Sequence, residues 1–276
     1  MNPDPGTGPS TATVSDEPDE LLALAVRAAR AAGAELMRRY GHIEGLETKS
    51  TATDPVSDAD KAAEQLLSDL ITTARPDDAM IGEEGTDRSG TSGLTWVVDP
   101  LDGTVNYLYQ LANFSVSVAC EDAQGGLVGV VLDPVADRLF SAVRGGGATR
   151  LDPSGTTSLR VSDPVPLDRA LLATGFGYDA GRRALQGEFV AALLPRIRDI
   201  RRFGGAALDL CAVAAGAVDG YFEEGINHWD HAAGGLIVQE AGGLMTHFAP
   251  TGHERGWLAA GPSLHAEMAA FAAAPR

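Results

Sequence analysis

The sequence predicts an α/β (α+β) protein in which helices cover mixed sheet. Three observations carry that prediction. A long Ala-rich amphipathic stretch comes first, a set of short alternating strand patterns follows, and the C-terminal half then alternates strand and helix patterns. Residues 1–18 read as a disordered tail of Pro, Gly, Ser, Thr and Asp, with neither the basic start nor the apolar stretch of a signal peptide. Residues 19–276 are expected to form one domain of two packed halves, about 19–147 and 148–276, with the break at Gly145-Gly146-Gly147.

Each element has its own reason. Residues 20–40 carry Leu21, Leu24, Ala25, Ala28 and Ala32 at helical spacing. Residues 60–74 form a second helix with Ala63, Leu66, Leu67 and Leu70 on one face, and Ser57 or Asp58 stands where a cap belongs. A buried strand at 96–98 is expected to stop at Pro100, which cannot donate to a sheet ladder. Strands follow at 114–120, 127–132 and 139–143, separated by Asp133-Pro134 and Asp137. Beyond the glycines the order is strand 170–174, helix 184–194, strand 197–202, helix 206–215, strand 220–223 and helix 231–241.

Composition excludes several roles. Lys plus Arg number 21 against 38 Asp plus Glu, a net charge of −17, so the surface repels a nucleic acid. The one basic cluster, Arg196, Arg198, Arg201 and Arg202, reads as a solvated or subunit-facing edge, with a partner or anion site as the sharper alternative. No apolar run reaches the roughly 18–20 residues that span a bilayer. Cys120 and Cys211 sit in apolar runs and read as buried free thiols. A cytoplasmic location is the resulting expectation.

The chemistry concentrates in residues 96–107, WVVDPLDGTVNY. Asp99 ends the strand and Asp102 follows one tight turn later. Gly103 lets backbone approach a ligand, and a helix starting near Asp102 would aim free N–H groups at an anion. Two more acidic clusters lie at expected element ends. The run AMIGEEG at 79–85 presents Glu83 and Glu84, and GINHWDHAAGG at 225–235 presents Asp230 at the head of an apolar helix, where capping is the ordinary role. Carboxylates are the hard oxygen ligands that Mg²⁺ prefers, so His228 and His231 read as surface or supporting groups. Trp96 and Trp229 read as core packing, while Tyr107 and Tyr109 either line an entrance or pack. Converging acids suit hydrolysis of a phosphate ester. Two cations roughly 3.5–4 Å apart neutralise the dianion and acidify a water, which leaves the protein little to do beyond positioning. The competing chemistry is a phosphatase of the haloacid-dehalogenase type, which forms a phospho-aspartate. Its two Asp are separated by one residue, whereas Pro100 and Leu101 separate Asp99 from Asp102.

At these motifs the chain resembles the inositol monophosphatase family of Mg²⁺-dependent phosphatases, in its bacterial branch. GEE at 82–84, DPLDGT at 99–104 and WDHAAGG at 229–235 carry the resemblance. A weaker match is DPVSDAD at 54–60, preceded by Lys49, and the ordered set runs from about Leu21 to the C-terminus. The segments GFGY at 175–178 and RRFGGAALDL at 201–210 point to the bacterial branch, while Gly85 stands where many members carry Ser or Thr. The resemblance implies a layered αβαβα sandwich of the sugar phosphatase and inositol monophosphatase type, with the site between its halves.

It also implies two or three Mg²⁺ ions. Glu83, Asp99 and the Leu101 carbonyl would hold one, and Asp99, Asp102 and Asp230 another. Glu83, Thr104 and Asp60 would act on the attacking water. Asp102, Gly103, Thr104, Ala206, Glu223 and Asp230 would bind substrate, and Lys49 would sit on a loop near the metals. The implied reaction is hydrolysis of inositol-1-phosphate by direct water attack. The same fold hosts hydrolysis of histidinol phosphate, fructose 1,6-bisphosphate and nucleotide 3′-phosphates, and those alternatives stay open, as does a regulatory member without turnover. A small-molecule phosphate ester as partner, neither nucleic acid nor membrane, a homodimer and sensitivity to Li⁺ complete what the resemblance implies.

Overall fold

Helix α1 (Glu17–Arg39) buries one stripe of small and branched residues, Leu21, Leu24, Ala25, Ala28, Ala29, Ala32, Gly33 and Leu36. The small members let it lie close to the sheet: a Cβ on Gly33 would stand 2.7 Å from the Leu132 side chain. In this computed structural model the described residues are 17–42, 47–48, 55–56, 58–253 and 255–274. Lys49 and the tail expected at 1–18, apart from the start of α1, lie outside them. Short strands β1 (Glu47–Thr48) and β2 (Pro55–Val56) pair antiparallel.

Helix α2 (Asp58–Ala74) packs beside α1. Its buried face is not quite the expected one. Ala63 and Leu67 are buried, but Leu70 is exposed, and Asp60 and Glu64 are buried instead. The turn of the helix follows from what those acids do, described below.

The first sheet has seven strands in chain order: β3 (Ala79–Gly82), β4 (Thr95–Asp102), β5 (Ser115–Asp122), β6 (Gly125–Asp133), β7 (Arg138–Val143), β8 (Gly147–Asp152) and β9 (Gly155–Ser158). Only β3 and β4 run parallel. Pro100 does not end β4. The strand runs on to Asp102, because its register against β5 slips between Asp99 and Asp102, and a slipped ladder tolerates a residue with no N–H. Helix α3 (Thr104–Leu108) follows at once. Gly145 and Gly146 form the β7–β8 hairpin turn, so the change of sheet comes after Ser158 rather than at the glycines.

The second sheet combines β10 (Leu171–Thr174), β11 (Asp199–Arg201), β12 (Gly220–Glu224), β13 (Leu244–His247) and β14 (Gly256–Ala260) in the order β11-β10-β12-β14-β13. The first three are parallel and β14 is antiparallel to both neighbours. Helices α4 (Ala180–Leu193), α5 (Ala206–Ala214), α6 (His228–Glu240) and α7 (Pro262–Ala273) complete the chain.

Three apolar clusters define five layers. Helices α1 and α2 meet Trp96, Val98, Val116 and Val130 on one face of the first sheet. Helices α5 and α6 fill the middle: Leu210, Val213, Leu236 and Ile237 touch Val97, Ala119 and Val131 on one side, and Ala173, Tyr221 and Ala259 on the other. Phe189 and Leu193 of α4, with Leu264 and Met268 of α7, close the outer face against Leu172, Phe222 and Leu258. The architecture is the αβαβα sandwich. Cys120 and Cys211 are buried and free. Among the described residues no helix is long and apolar enough to cross a membrane.

Candidate active site

The β4 slip places both of its acids on one wall of a cavity of about 460 Å³ at the meeting of the two sheets. The inner end is lined by Glu83, Asp99, Leu101, Asp102, Gly103, Thr104 and Asp230, from three separate stretches of chain. Asp99 is 1% exposed and accepts the Leu101 N–H at 2.9 Å, which holds the turn across Pro100. Asp102 reaches across to α5: its two oxygens accept the N–H groups of Ala206 at 3.0 Å and Ala207 at 2.9 Å, and the Ser115 hydroxyl donates at 3.3 Å. These are orphan amides at a helix start, a natural seat for a carboxylate.

Gly103 has φ +89° and caps α3. A Cβ there would stand 3.0 Å from the Asn113 carbonyl, so only glycine fits. A side chain in that left-handed conformation would add roughly 1–2 kcal/mol of strain besides. The Thr104 hydroxyl lies 3.1 Å from the Leu101 carbonyl and 3.4 Å from Asp60 Oδ1, and can donate to either. The expected Thr104–Asp60 pairing is thus present across two elements. Asp230 is not the cap of α6. Asn227 holds that place, and Asp230 stands three residues on, its Oδ2 accepting the Asn227 N–H at 2.6 Å.

Burial and mutual repulsion shape the acids. Burial pushes Asp99 well above the usual carboxylate range, and the charges of Glu83, Asp102 and Asp230 push it the same way, as does a hydrogen bond shared with Glu83. Burial raises Asp230 too, with Glu83 adding to it and the Asn227 amide opposing. Asp102 rises only to about 6, because the Ala207 and Ala206 amides offset its burial. Among the described residues no three acids, histidines or cysteines are already drawn into an ion's ligand spacing. The four acids open on one cavity, and their charges raise one another. Hard, all-oxygen donors that repel each other fit Mg²⁺, whose charge would turn the repulsion into binding.

The outer end is assembled differently. Glu223 stands one residue before the end of β12, and the Tyr221 hydroxyl donates to its Oε2 at 2.9 Å. A Cβ at Gly175 would fall 2.0 Å from that carboxyl, so the glycine makes room for it. Burial lifts Glu223 to about 7, with nearby Arg202 pulling the other way. Ala206 lines the cavity as expected, but its N–H is taken by Asp102 and is not the donor a substrate would meet.

Other expectations sort cleanly. His228 meets Glu121 at 2.8 Å, His231 stacks on Trp257 with ring centres 4.5 Å apart, and neither lines the cavity. Trp96 is core and donates to Asp78 at 2.9 Å, whereas Trp229 lines the cavity. Tyr107 is buried, its hydroxyl on the Leu36 carbonyl at 2.8 Å, and Tyr109 is exposed. All four residues of the basic cluster are exposed, and one of them, Arg202, faces the cavity.

The residues missed from sequence are supports. Glu64 of α2 accepts the N–H groups of Glu84 at 2.7 Å and Thr86 at 3.0 Å, pinning the loop that carries Glu83. Gln186 of α4 accepts the Gly177 N–H at 3.0 Å and donates to the Glu224 carbonyl at 3.1 Å, joining two cavity loops. A signal for Glu64 existed: it lies four residues after Asp60, on the same helix face, inside an apolar stripe.

Comparison with known proteins agrees with this geometry. The inositol monophosphatase family profile matches residues 17–274. A Mycobacterium leprae protein named Inositol-1-monophosphatase is 42% identical over 252 residues, covering 84% of this chain and 86% of its own length. A Pasteurella multocida protein named Nus factor SuhB is 44% identical over 231 residues, covering 83% and 85% respectively. The crystal structure of the extragenic suppressor protein suhB from Bartonella henselae superposes with a TM-score of 0.85 at 34% identity, over 93% of this chain and all of that one. On the matched profile, the shared five-layer fold and these relatives, the chain belongs to the inositol monophosphatase family.

Proposed function

We propose that this protein is a Mg²⁺-dependent phosphomonoesterase that hydrolyses inositol-1-phosphate to inositol and phosphate by direct attack of water. The observation that carries the reading is the convergence of Glu83, Asp99, Asp102 and Asp230 on the cavity end where Thr104 meets Asp60. Glu83, Asp99, the Leu101 carbonyl, Asp102 and Asp230 would hold two or three ions. When bound, Mg²⁺ supplies neutralisation of the phosphate dianion and a more acidic water.

The chain's own groups do the rest. The Gly103 and Thr104 amides face the phosphate oxygens from the start of α3. Thr104 Oγ1 accepts a proton from the attacking water as its own hydroxyl proton passes to Asp60 Oδ1. The bond from phosphorus to the ester oxygen breaks, and the inositol oxygen takes a proton from solvent. Glu223 accepts hydrogen bonds from the ring hydroxyls, with Asp102 and Asp230 completing the substrate's surroundings. Lys49 belongs to this proposal as a group near the metals, though it lies outside the described residues.

Glu223 favours a polyol because a carboxylate accepts hydrogen bonds from hydroxyls well. Phosphate release from a panel of esters, with Mg²⁺ and with chelator, tests the proposal. Activity that survives exhaustive metal removal would overturn the metal-assisted route. A Glu223→Ala enzyme that keeps its substrate ranking would remove the case for inositol. Homodimer formation and inhibition by Li⁺ belong to the same reading. Exposed Tyr109, Leu111 and Phe203 support the first, and sedimentation and a Li⁺ titration check the two.

A further inference from the structure

The chain has six histidines, and two of them, His228 and His231, stand in contact outside the cavity. They lie three residues apart on the first turn of α6, a spacing that puts both on one helix face. Their ring centres are 5.2 Å apart, with the planes 73° from parallel. Two other histidines are spent differently. His253 Nδ1 accepts the Arg255 N–H at 3.0 Å, and His265 Nε2 lies 2.8 Å from the Thr246 hydroxyl.

A carboxylate joins the pair. Glu121, next to last in β5, places Oε2 2.8 Å from His228 Nε2. The two side chains are 20% and 43% exposed, so solvent reaches the contact. The His231 ring rests against Trp257 of β14, centres 4.5 Å apart, which holds the ring in place. Three elements, β5, α6 and β14, thus bring two imidazoles and one carboxylate to a single wet spot.

The spacing is that of ligands on a tetrahedral ion. With Zn–N at about 2.0–2.1 Å and each ring nitrogen about 1.2 Å from its ring centre, two imidazoles on one such ion have centres about 5.2 Å apart. The same geometry puts a nitrogen and a carboxylate oxygen about 3.3 Å apart, so the His228–Glu121 contact opens by about half an ångström as an ion takes the proton's place. Among the described residues no three ligands are drawn up in advance. His231 completes this set by turning about χ2, a broad torsion that leaves the ring centre nearly where it is.

Donor type separates this place from the inner end of the cavity. All-oxygen acids suit hard Mg²⁺, whereas two imidazoles and a carboxylate suit a borderline ion, and zinc enzymes use that set with water in the fourth position. We propose that His228, His231 and Glu121 form a second metal site, outside the cavity, for Zn²⁺ or a divalent ion of similar softness. The site stands whether or not the phosphatase reading holds. Asp230 lies between the two histidines in the chain, so an ion bound there clamps the turn of α6 that carries it.

Titration calorimetry with Zn²⁺ tests the proposal, with Mg²⁺ at saturation to occupy the inner acids. One Zn²⁺ binds per chain with a Kd of about 10 μM or tighter. His228→Gln combined with His231→Gln raises that Kd about 100-fold, and Glu121→Gln about tenfold. Asp99→Asn leaves it unchanged. Co²⁺ gives a second reading in the unaltered protein, because a tetrahedral site with nitrogen ligands absorbs strongly in the visible and an octahedral oxygen site only weakly. The strong bands appear in saturating Mg²⁺ and are lost on addition of Zn²⁺. No Zn²⁺ binding in Mg²⁺, an isotherm that the double histidine variant leaves unchanged, one that Asp99→Asn abolishes, or only the weak Co²⁺ spectrum overturns the proposal.

Discussion

The two ends of the cavity are built on opposite principles. At the inner end, carboxylates are held by backbone: Asp99 by the Leu101 amide, Asp102 by the Ala206 and Ala207 amides, Asp230 by the Asn227 amide. At the outer end, side chains are held by the absence of other side chains, Glu223 against Gly175 and Arg182 against Gly177. Amides fix a group whatever the neighbouring residues are. Glycine cradles fix it only while nothing larger replaces them. The chemistry of such a site is therefore robust, and its choice of substrate is open to single changes.

The largest expected effect strikes the inner end. Asp99→Asn removes the charge nearest the other three acids, and kcat falls by about 10³-fold or more, since several kcal/mol of charge stabilisation are lost at about 1.4 kcal/mol per tenfold. Circular dichroism and Tm should stay close to the parent; near-normal kcat would end the idea that this acid is central.

Gly175→Ala strikes the outer end. The new methyl displaces Glu223, so KM for inositol-1-phosphate rises by roughly tenfold with a smaller change in kcat, as expected when binding rather than chemistry is disturbed. Steady-state kinetics that show the reverse split would blur the division between the two ends.

Glu64→Ala frees the loop of Glu83 without touching the cavity. Leaving the Glu84 and Thr86 amides unpaired costs roughly 1–3 kcal/mol of stability, read by denaturant unfolding. Activity should fall about tenfold, the low end for a group that orients a metal ligand.

The smallest effect separates the ends by pH. Folded-state values raised above the unfolded ones mean that the metal-free protein loses stability as pH rises. The loss runs from 3.8 through about 6 for Asp102 and from 4.5 through about 7 for Glu223. Thermal melts from pH 4 to 8 should show this decline without Mg²⁺, and Mg²⁺ should cancel the Asp102 part but not the Glu223 part. At a hundred times its Kd the ion adds about 2.7 kcal/mol, or roughly 5–10 °C in Tm for a chain of this size. A Tm indifferent to Mg²⁺ would argue against the inner end as its site.

Much of the inner end was legible because its residues lie in short continuous runs whose spacing does chemical work, as in DPLDGT. The strand–helix alternation after β10 was legible for the same local reason. What escaped depends on contacts far apart in the chain. The slip that keeps Pro100 inside β4 is set by its partner β5, and Glu64 matters only because β3 delivers two amides to it. Strands β8, β9 and β13 were missed because their glycines, threonines and other polar residues dilute the apolar alternation, and β14 because its short run of Gly, Trp, Leu and Ala has no alternation to read. Arg182 and Arg255 carry no local motif at all, and only folding shows that both face one cavity.

The grip of Asp102 on α5 gives the molecule a built-in gauge. The Ala206 and Ala207 amide protons sit on the very carboxylate that would meet a cation, at a joint between the two sheets. Their hydrogen-exchange rates and nitrogen chemical shifts report the state of the inner site from behind. Two backbone resonances can thus read ion occupancy and sheet-to-sheet breathing together, with no label in the cavity and no substrate turned over.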